Sequence, residues 1–285
     1  METGLVLIAL LLTGGPPSQA QTTAEQFKAM AWDNSHAGTS LDLSAYRQTF
    51  FDDFNTLSVT PDGGAGPWYA PVHGPFGAAL FLPPGADGPF SVSNGCLAIR
   101  AEKVEGRWRS GLMQTVDSQG RGFAQRNGYF EMTAKFPSGP GVWPAFWLLS
   151  RNGITDKTAA RAEIDVVEWY GGDPKGHHAS VHLWPAAVPA PGALSQHVGR
   201  SAYHKLTASL LNGRLEGFHS YGAEVSPDWV IFYFDRHELG RFQTLPEFET
   251  PLYMVVDLAI FEKEAGMAES PKELLIAGVS AYSRK

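Results

Sequence analysis

The sequence predicts an all-β protein built as a sandwich of two antiparallel sheets. Three observations predict it. Short runs rich in Val, Ile, Phe, Tyr and Trp recur along the chain, each bounded by turn residues. The 31 glycines and 20 prolines are spread evenly, as many turns require and a disordered tail does not. Helical patterning is confined to one short stretch near Ala24–Ala31. Many strands with few helices bury their apolar faces best as two packed sheets.

The chain opens with an unbroken apolar run, Leu5 to Leu12, followed by the small residues Ser18 and Ala20. That pattern reads as an export signal over 1–20, cut ahead of Gln21, and implies a secreted or periplasmic protein. Met1-Glu2-Thr3-Gly4 lacks the usual basic residue. The run is too short to span a bilayer as a helix, and no other stretch is long and apolar enough. Residues 21–45 form a weakly patterned lead-in, and 46–285 one large β domain with ample core.

Strand signals are dense from Phe50-Phe51-Asp52-Asp53-Phe54 onward. Pro61 to Gly88 is Gly/Pro-rich, carries Trp68, Tyr69 and His73, and reads as a long loop. Ser91–Ala101 reads as a turn and strand, Arg107–Val116 as another strand. In Gly128–Phe136 the residues Phe130, Met132, Ala134 and Phe136 alternate with Tyr129, Glu131, Thr133 and Lys135, a half-buried pattern. Alternation over Gly141–Leu149 puts Trp143, Ala145 and Trp147 on one face, Phe146 and Leu148 on the other. Pro144 cannot donate to a ladder, so this strand is expected to be irregular or edge-like there. Ala179–Trp184 aligns Ser180, His182 and Trp184. Later strands are expected at Tyr203–Leu211, Phe218–Glu224, Trp229–Asp235, Gly240–Phe242, Tyr253–Ile260 and Ala277–Tyr282.

The stretch with most chemistry is Ala162-Glu163-Ile164-Asp165-Val166-Val167-Glu168-Trp169-Tyr170-Gly171-Gly172. Its β-branched and aromatic residues read as a strand. Glu163 and Asp165 share a face, while Glu168 falls on the other unless Val166-Val167 form a β-bulge. With the bulge, Glu163 and Glu168 lie four strand steps apart, about 13 Å along the backbone. Side chains leaning inward shorten that to about 5 Å, the separation of a retaining glycosidase pair. A solvated acidic edge strand is the plain alternative. Trp143 and Trp147 read as core packing or as a platform on which apolar sugar faces stack. His182 reads as a hydrogen-bonded structural residue, or as a partner of the acidic strand.

Composition narrows the partners. Net charge is −7 with no basic run, which disfavours nucleic acid. Cys96 is the only cysteine, so neither an intramolecular disulfide nor a cysteine-built metal site is available.

The acidic stretch resembles the bulged active-site motif of glycoside hydrolase family sixteen. Gly141–Trp147, Asn127–Glu131, Phe218–Gly222 and Pro227–Asp235 are similar to other blocks of that family, in the expected order. The resemblance covers about residues 46–282. It implies a jelly-roll of two curved antiparallel sheets, of the concanavalin A-like type, with a polysaccharide-binding cleft on the concave face. It implies internal cleavage of β-glycosidic bonds with retention, on laminarin-type or mixed-linkage glucans or bacterial exopolysaccharides. It also implies Glu163 as nucleophile, Glu168 as acid/base and Asp165 as helper; Trp143, Trp147, His182 and Trp184, placed by strand alternation and by nearness to the acidic strand, are the candidate substrate-binding residues. Many members hold a structural calcium through an Asp in the last strand. The matching position here is Ala277, so neither cofactor nor metal is expected. Asp257 stands where the family commonly has Asn, altering a subsite or a buried hydrogen bond. A monomer is expected. A sugar-binding module and a transglycosylase are the competing readings on the same fold. The complete acid triad argues against the first, and the acceptor-side residues that would decide the second are not legible.

Overall fold

The computed structural model describes residues 19–71, 76–188, 190, 193–206 and 217–285. The chain runs through helix α1 (Gln19–Ala29), then strands β1 (Tyr46–Asp52), β2 (Val59–Pro61), β3 (Trp68–Ala70), β4 (Ala79–Phe81), β5 (Phe90–Ser93), β6 (Cys96–Val104), β7 (Arg107–Ser110) and β8 (Leu112–Gln114). It continues through β9 (Gly128–Lys135), β10 (Val142–Ser150), a one-turn helix α2 (Asn152–Thr155), β11 (Arg161–Glu168), β12 (Gly176–Trp184) and β13 (Val198–Lys205). It closes with β14 (His219–Val225), β15 (Trp229–Phe234), β16 (His237–Gln243), β17 (Leu252–Ile260) and β18 (Lys272–Arg284).

Two sheets result. One is ordered β16-β15-β14-β9-β18-β6-β7-β4, with β1 on β18 and β5 on β6; the other is β13-β12-β11-β10-β17-β8-β3-β2. Pairing is antiparallel except for two short parallel pairs, β2–β3 and β4–β7. The main core lies between the layers. Phe146 and Leu148 of β10, Ile164 of β11, Val181 of β12 and Val256 of β17 meet Phe130, Met132, Ala223 and Phe232 of the opposing sheet. The alternation expected in β10 holds: Phe146 and Leu148 enter this core while Trp143 and Trp147 face outward.

Several expectations are corrected. The long loop from Pro61 contains the short strands β3 and β4, and its Trp68 is wholly buried core, with Tyr69 also buried. Trp68 packs edge-on against Phe50 and donates its indole N–H to Asp52. His73 lies outside the described residues. The single strand expected over Arg107–Val116 is two strands in different sheets, and the chain crosses between layers at Gly111. A Cβ there would lie 2.7 Å from the Phe90 ring, so the crossing needs glycine. Pro144 is not at an edge, because β10 is paired on both sides. Beyond the Ala145–Glu168 pair, Trp169 and Gly171 still donate to the Pro144 and Val142 carbonyls at 3.0 and 2.9 Å, so only the proline's own N–H is missing from the pairing. The face of β9 carrying Tyr129 and Glu131 is buried rather than solvated. Arg236 makes two hydrogen bonds to Glu131, at 2.8 and 2.7 Å, and Tyr129 donates a third at 2.8 Å.

The N-terminal lead-in is tied to the sandwich. The helix begins at Gln19 rather than Ala24, and Phe27 and Met30 join the main core. Asp33 and Ser40 form bridges to Arg241 and His237 of β16, covering that edge strand. No described helix is long and apolar enough to cross a membrane. The strand expected to run from Tyr203 to Leu211 is described only as far as its neighbour Leu206, and the export signal likewise lies mostly outside the described residues.

Candidate active site

The bulge in β11 is present. From Asp165 to Glu168 this strand spends three steps while β12 spends two, from Ser180 to His178. On the other side Phe146 faces Val167 and Trp147 faces Asp165, leaving Val166 without a partner. Val166 and Val167 both point into the main core, which is what turns Glu168 back to the face of Glu163 and Asp165.

That face forms one wall of a cleft of about 460 Å³. All seven site residues expected from the sequence line it: Trp143, Trp147, Glu163, Asp165, Glu168, His182 and Trp184. Phe76, Ala145, Tyr170 and Asp257 complete it. A side pocket of about 340 Å³ continues past Trp147, Glu163 and Trp184 to Arg161 and Tyr253.

Each carboxyl is held from a neighbouring strand or turn. Trp184 Nε1 donates to Glu163 Oε2 at 2.9 Å. Trp143 Nε1 and the Tyr170 hydroxyl both donate to Glu168 Oε1, at 3.2 and 3.1 Å. His182 Nε2 lies 3.1 Å from Asp165 Oδ2. Trp147 Nε1 donates to Asp257 Oδ2 at 2.8 Å. The tryptophans therefore orient the acids as well as lining the wall. One face of Trp143 is also taken, stacked on Tyr170 with centroids 5.4 Å apart.

Crowding acids in a partly dry wall raises the cost of charge. Burial, followed by the Asp165 charge, pushes Glu163 up to about 8, while His182 and the Trp184 N–H act against the rise. Burial and then Glu168 hold Asp165 well above the usual carboxylate range. Asp257 is raised in the same direction by its burial, despite the Trp147 hydrogen bond. Burial lowers His182, so its ring is neutral at pH 7. The cleft thus carries fewer negative charges than carboxyls, and its protons belong to the set rather than to single residues.

The geometry bears on the family as well as on the chemistry. A model of glycosyl hydrolases family 16 matches residues 86–262. The chain belongs to that family. Two relatives from Rhizobium meliloti, the endo-1,3-1,4-beta-glycanases EglC and ExsH, are each 33% identical to it, over 99% and 93% of this chain. The chain spans only 60% and 56% of their respective lengths. Among solved structures, the laminarinase catalytic domain of Thermotoga maritima superposes with a TM-score of 0.63 at 21% identity, covering 84% of this chain and 99% of that one. The endo-beta-1,3-glucanase of Pyrococcus furiosus superposes with a TM-score of 0.63 at 19% identity, covering 84% and 95%. These matches identify the sandwich as the family 16 jelly-roll.

Two further points concern metals in this family 16 chain. Ala277 is the residue left over at a register shift between β18 and β9, and its methyl group offers no ligand. The residues present do not fit a calcium ion anchored by a carboxylate there. Among the described residues one group of three donors converges, Glu163, Asp165 and His182, within 4.8 Å. Trp184 also donates to Glu163, and His197 lies within hydrogen-bond distance of the far nitrogen of His182.

Sequence reasoning missed Phe76, Tyr170 and His197. Phe76 arrives from a remote loop and meets Trp143 and Trp147 edge-on. Tyr170 stands two residues after Glu168, and an even offset beyond the bulge was the available signal.

Proposed function

We propose that the chain is a retaining, endo-acting glycoside hydrolase that cuts internal β-glycosidic bonds of a glucan or a related bacterial exopolysaccharide. The observation that carries the reading is the bulged β11, whose two glutamates and aspartate share one cleft wall. The names of the two Rhizobium meliloti relatives favour a substrate with β-1,3 and β-1,4 linkages. The cleft and the side pocket that continues past Trp147, Glu163 and Trp184 give a substrate chain room on one side of the carboxyls.

In this reading Glu163 attacks the anomeric carbon while Glu168 gives its proton to the glycosidic oxygen, releasing one half of the chain. Glu168 then takes a proton from water, which displaces Glu163 from the sugar and restores the enzyme. Attack requires the ionised form of Glu163, which the donor-only Trp184 N–H favours and burial beside Asp165 opposes, so turnover should rise with the ionised fraction as pH approaches 8. Burial and the neighbouring Glu168 raise Asp165, so a proton is shared within the cluster. Export from the cytoplasm and action as a monomer complete the proposal.

The test is a reducing-end assay of purified protein on laminarin, mixed-linkage glucan, galactan and acidic exopolysaccharide, with the product anomer read by NMR. A rapid fall in viscosity with few new reducing ends, and a β-anomer formed first, is expected. An α-anomer formed first, or no cleavage of any substrate, overturns the reading.

A further inference from the structure

His197 lies in the connection between β12 and β13, outside the acidic motif and away from its strand. It nevertheless touches the partners of two carboxyls at once. Its Nε2 lies 2.9 Å from His182 Nδ1, and the opposite nitrogen of His182 lies 3.1 Å from Asp165. Its ring stacks on Trp184 with centroids 3.9 Å apart and planes 22° from parallel, and Trp184 in turn donates to Glu163. Space for this arrangement is built into the backbone. Gly199 sits opposite His182 in the β12–β13 ladder, and a Cβ there would come 2.1 Å from His182 Nδ1.

We propose that His197 is a positioning residue for the reaction, fixing the His182 tautomer whose Nε2–H donates to Asp165 while clamping Trp184 against Glu163. One proton lies between the two imidazoles. With it on His197 Nε2, both N–H dipoles point toward the carboxyl cluster of Glu163, Asp165, Glu168 and Asp257. With it on His182 Nδ1, both point away from the residual negative charge that the carboxyls share, and His182 Nε2 presents a lone pair to Asp165. Electrostatics favours the first arrangement. His197 is exposed, and although partial burial and the neighbouring His182 lower its pKa, a second proton taken up at acid pH enforces the same direction.

The inference rests on the hydrolase reading, and the experiment separates the two. His197→Phe keeps a ring over Trp184 and removes the hydrogen bond; His197→Gln restores an amide donor at similar reach; Gly199→Ala displaces His182. On a substrate the parent cleaves, His197→Phe is expected to lower kcat about tenfold with KM within about twofold, as loss of one hydrogen bond to a charged network does. The acidic limb of its pH profile should move, and His197→Gln should recover most of the loss. Ring nitrogen NMR, which needs no turnover, should show His182 protonated at Nε2 in the parent and redistributed in His197→Phe. An unchanged pH limb and unchanged His182 tautomer in His197→Phe overturn the inference, whatever happens to KM. A parent inactive on every glycan, with the tautomer shift present, overturns the hydrolase reading alone.

Discussion

Trp184 reaches across from β12 to give its indole N–H to Glu163 of β11 at 2.9 Å. The contact is diagonal, since Glu163 faces His182 in the ladder and Trp184 lies two residues further on. One strand therefore supplies hydrogen-bond partners to two carboxyls of the next, His182 to Asp165 and Trp184 to Glu163. That is why the acids keep a single orientation despite their mutual repulsion.

Replacing Glu163 by Gln is expected to abolish turnover, by about four orders of magnitude or more for loss of a covalent nucleophile. The fold and polysaccharide binding should survive. The same variant tests the electrostatics. Glu163 titrates near 8 when folded against about 4.3 unfolded, so its contribution to stability is complete below pH 4 and is lost as pH rises through 8. Glu163→Gln cannot ionise. Its melting temperature relative to the parent should rise steadily between pH 5 and pH 9, read by calorimetry. A gap independent of pH would show that Glu163 is ionised throughout.

Asp257 invites a stabilising change. Its carboxyl is buried and accepts from Trp147 through Oδ2, while Oδ1 makes no well-formed hydrogen bond although the Ala259 N–H acts on the group. Burial raises its pKa, so its stabilising contribution is greatest at low pH and falls as pH rises. Asp257→Asn keeps the shape and acceptor and cannot ionise. We expect a higher melting temperature at pH 8 and no gain at pH 4. A loss of stability at both values would contradict the neutral state.

Trp143 combines two roles that different variants separate. Trp143→Phe keeps an aromatic wall against Tyr170 but removes the N–H to Glu168. A fall in kcat of about tenfold is expected from that hydrogen bond. Trp143→Ala should add a rise in KM by stripping the wall. Michaelis kinetics on one soluble glucan decide it; equal kcat in parent and Trp143→Phe would leave the N–H without a role.

The bulge itself can be deleted. Removing Val167 gives the regular spacing Glu-Ile-Asp-Val-Glu, which alternates onto one face without a kink. Both valines are core residues, so the deletion costs roughly 1–3 kcal/mol of packing. The variant should fold, melt lower and retain measurable activity. Inserting one residue after Val167 should turn Glu168 into the core or end the strand, and activity should vanish. An active insertion variant would show that Glu168 does not need its present face.

Much of this site could be read before any coordinates, because a strand imposes a period of two and apolar residues reveal which phase is buried. Val166 and Val167 are adjacent in an otherwise alternating run, which pointed to a bulge, and in the structure both enter the core. Trp143 and Trp147 fall opposite Phe146 and Leu148 for the same reason. Pro144 misled because the missing N–H says that a ladder rung is absent and not whether the strand is central. Trp68 misled because Gly and Pro around it mark turns and say nothing of how deeply a short strand between them is buried.

The sequence by itself determined the sandwich class and which residues of each strand share a face, since these depend on local periodicity, while the family resemblance supplied the roles of the three acids. Tertiary structure alone decided what each carboxyl touches. Phe76 and Asp257 come from distant chain segments, and His197 crosses from a loop to reach His182 and Trp184. Such contacts depend on strand order and register between segments far apart in sequence. Those are set by packing in three dimensions and leave no periodic trace in the chain.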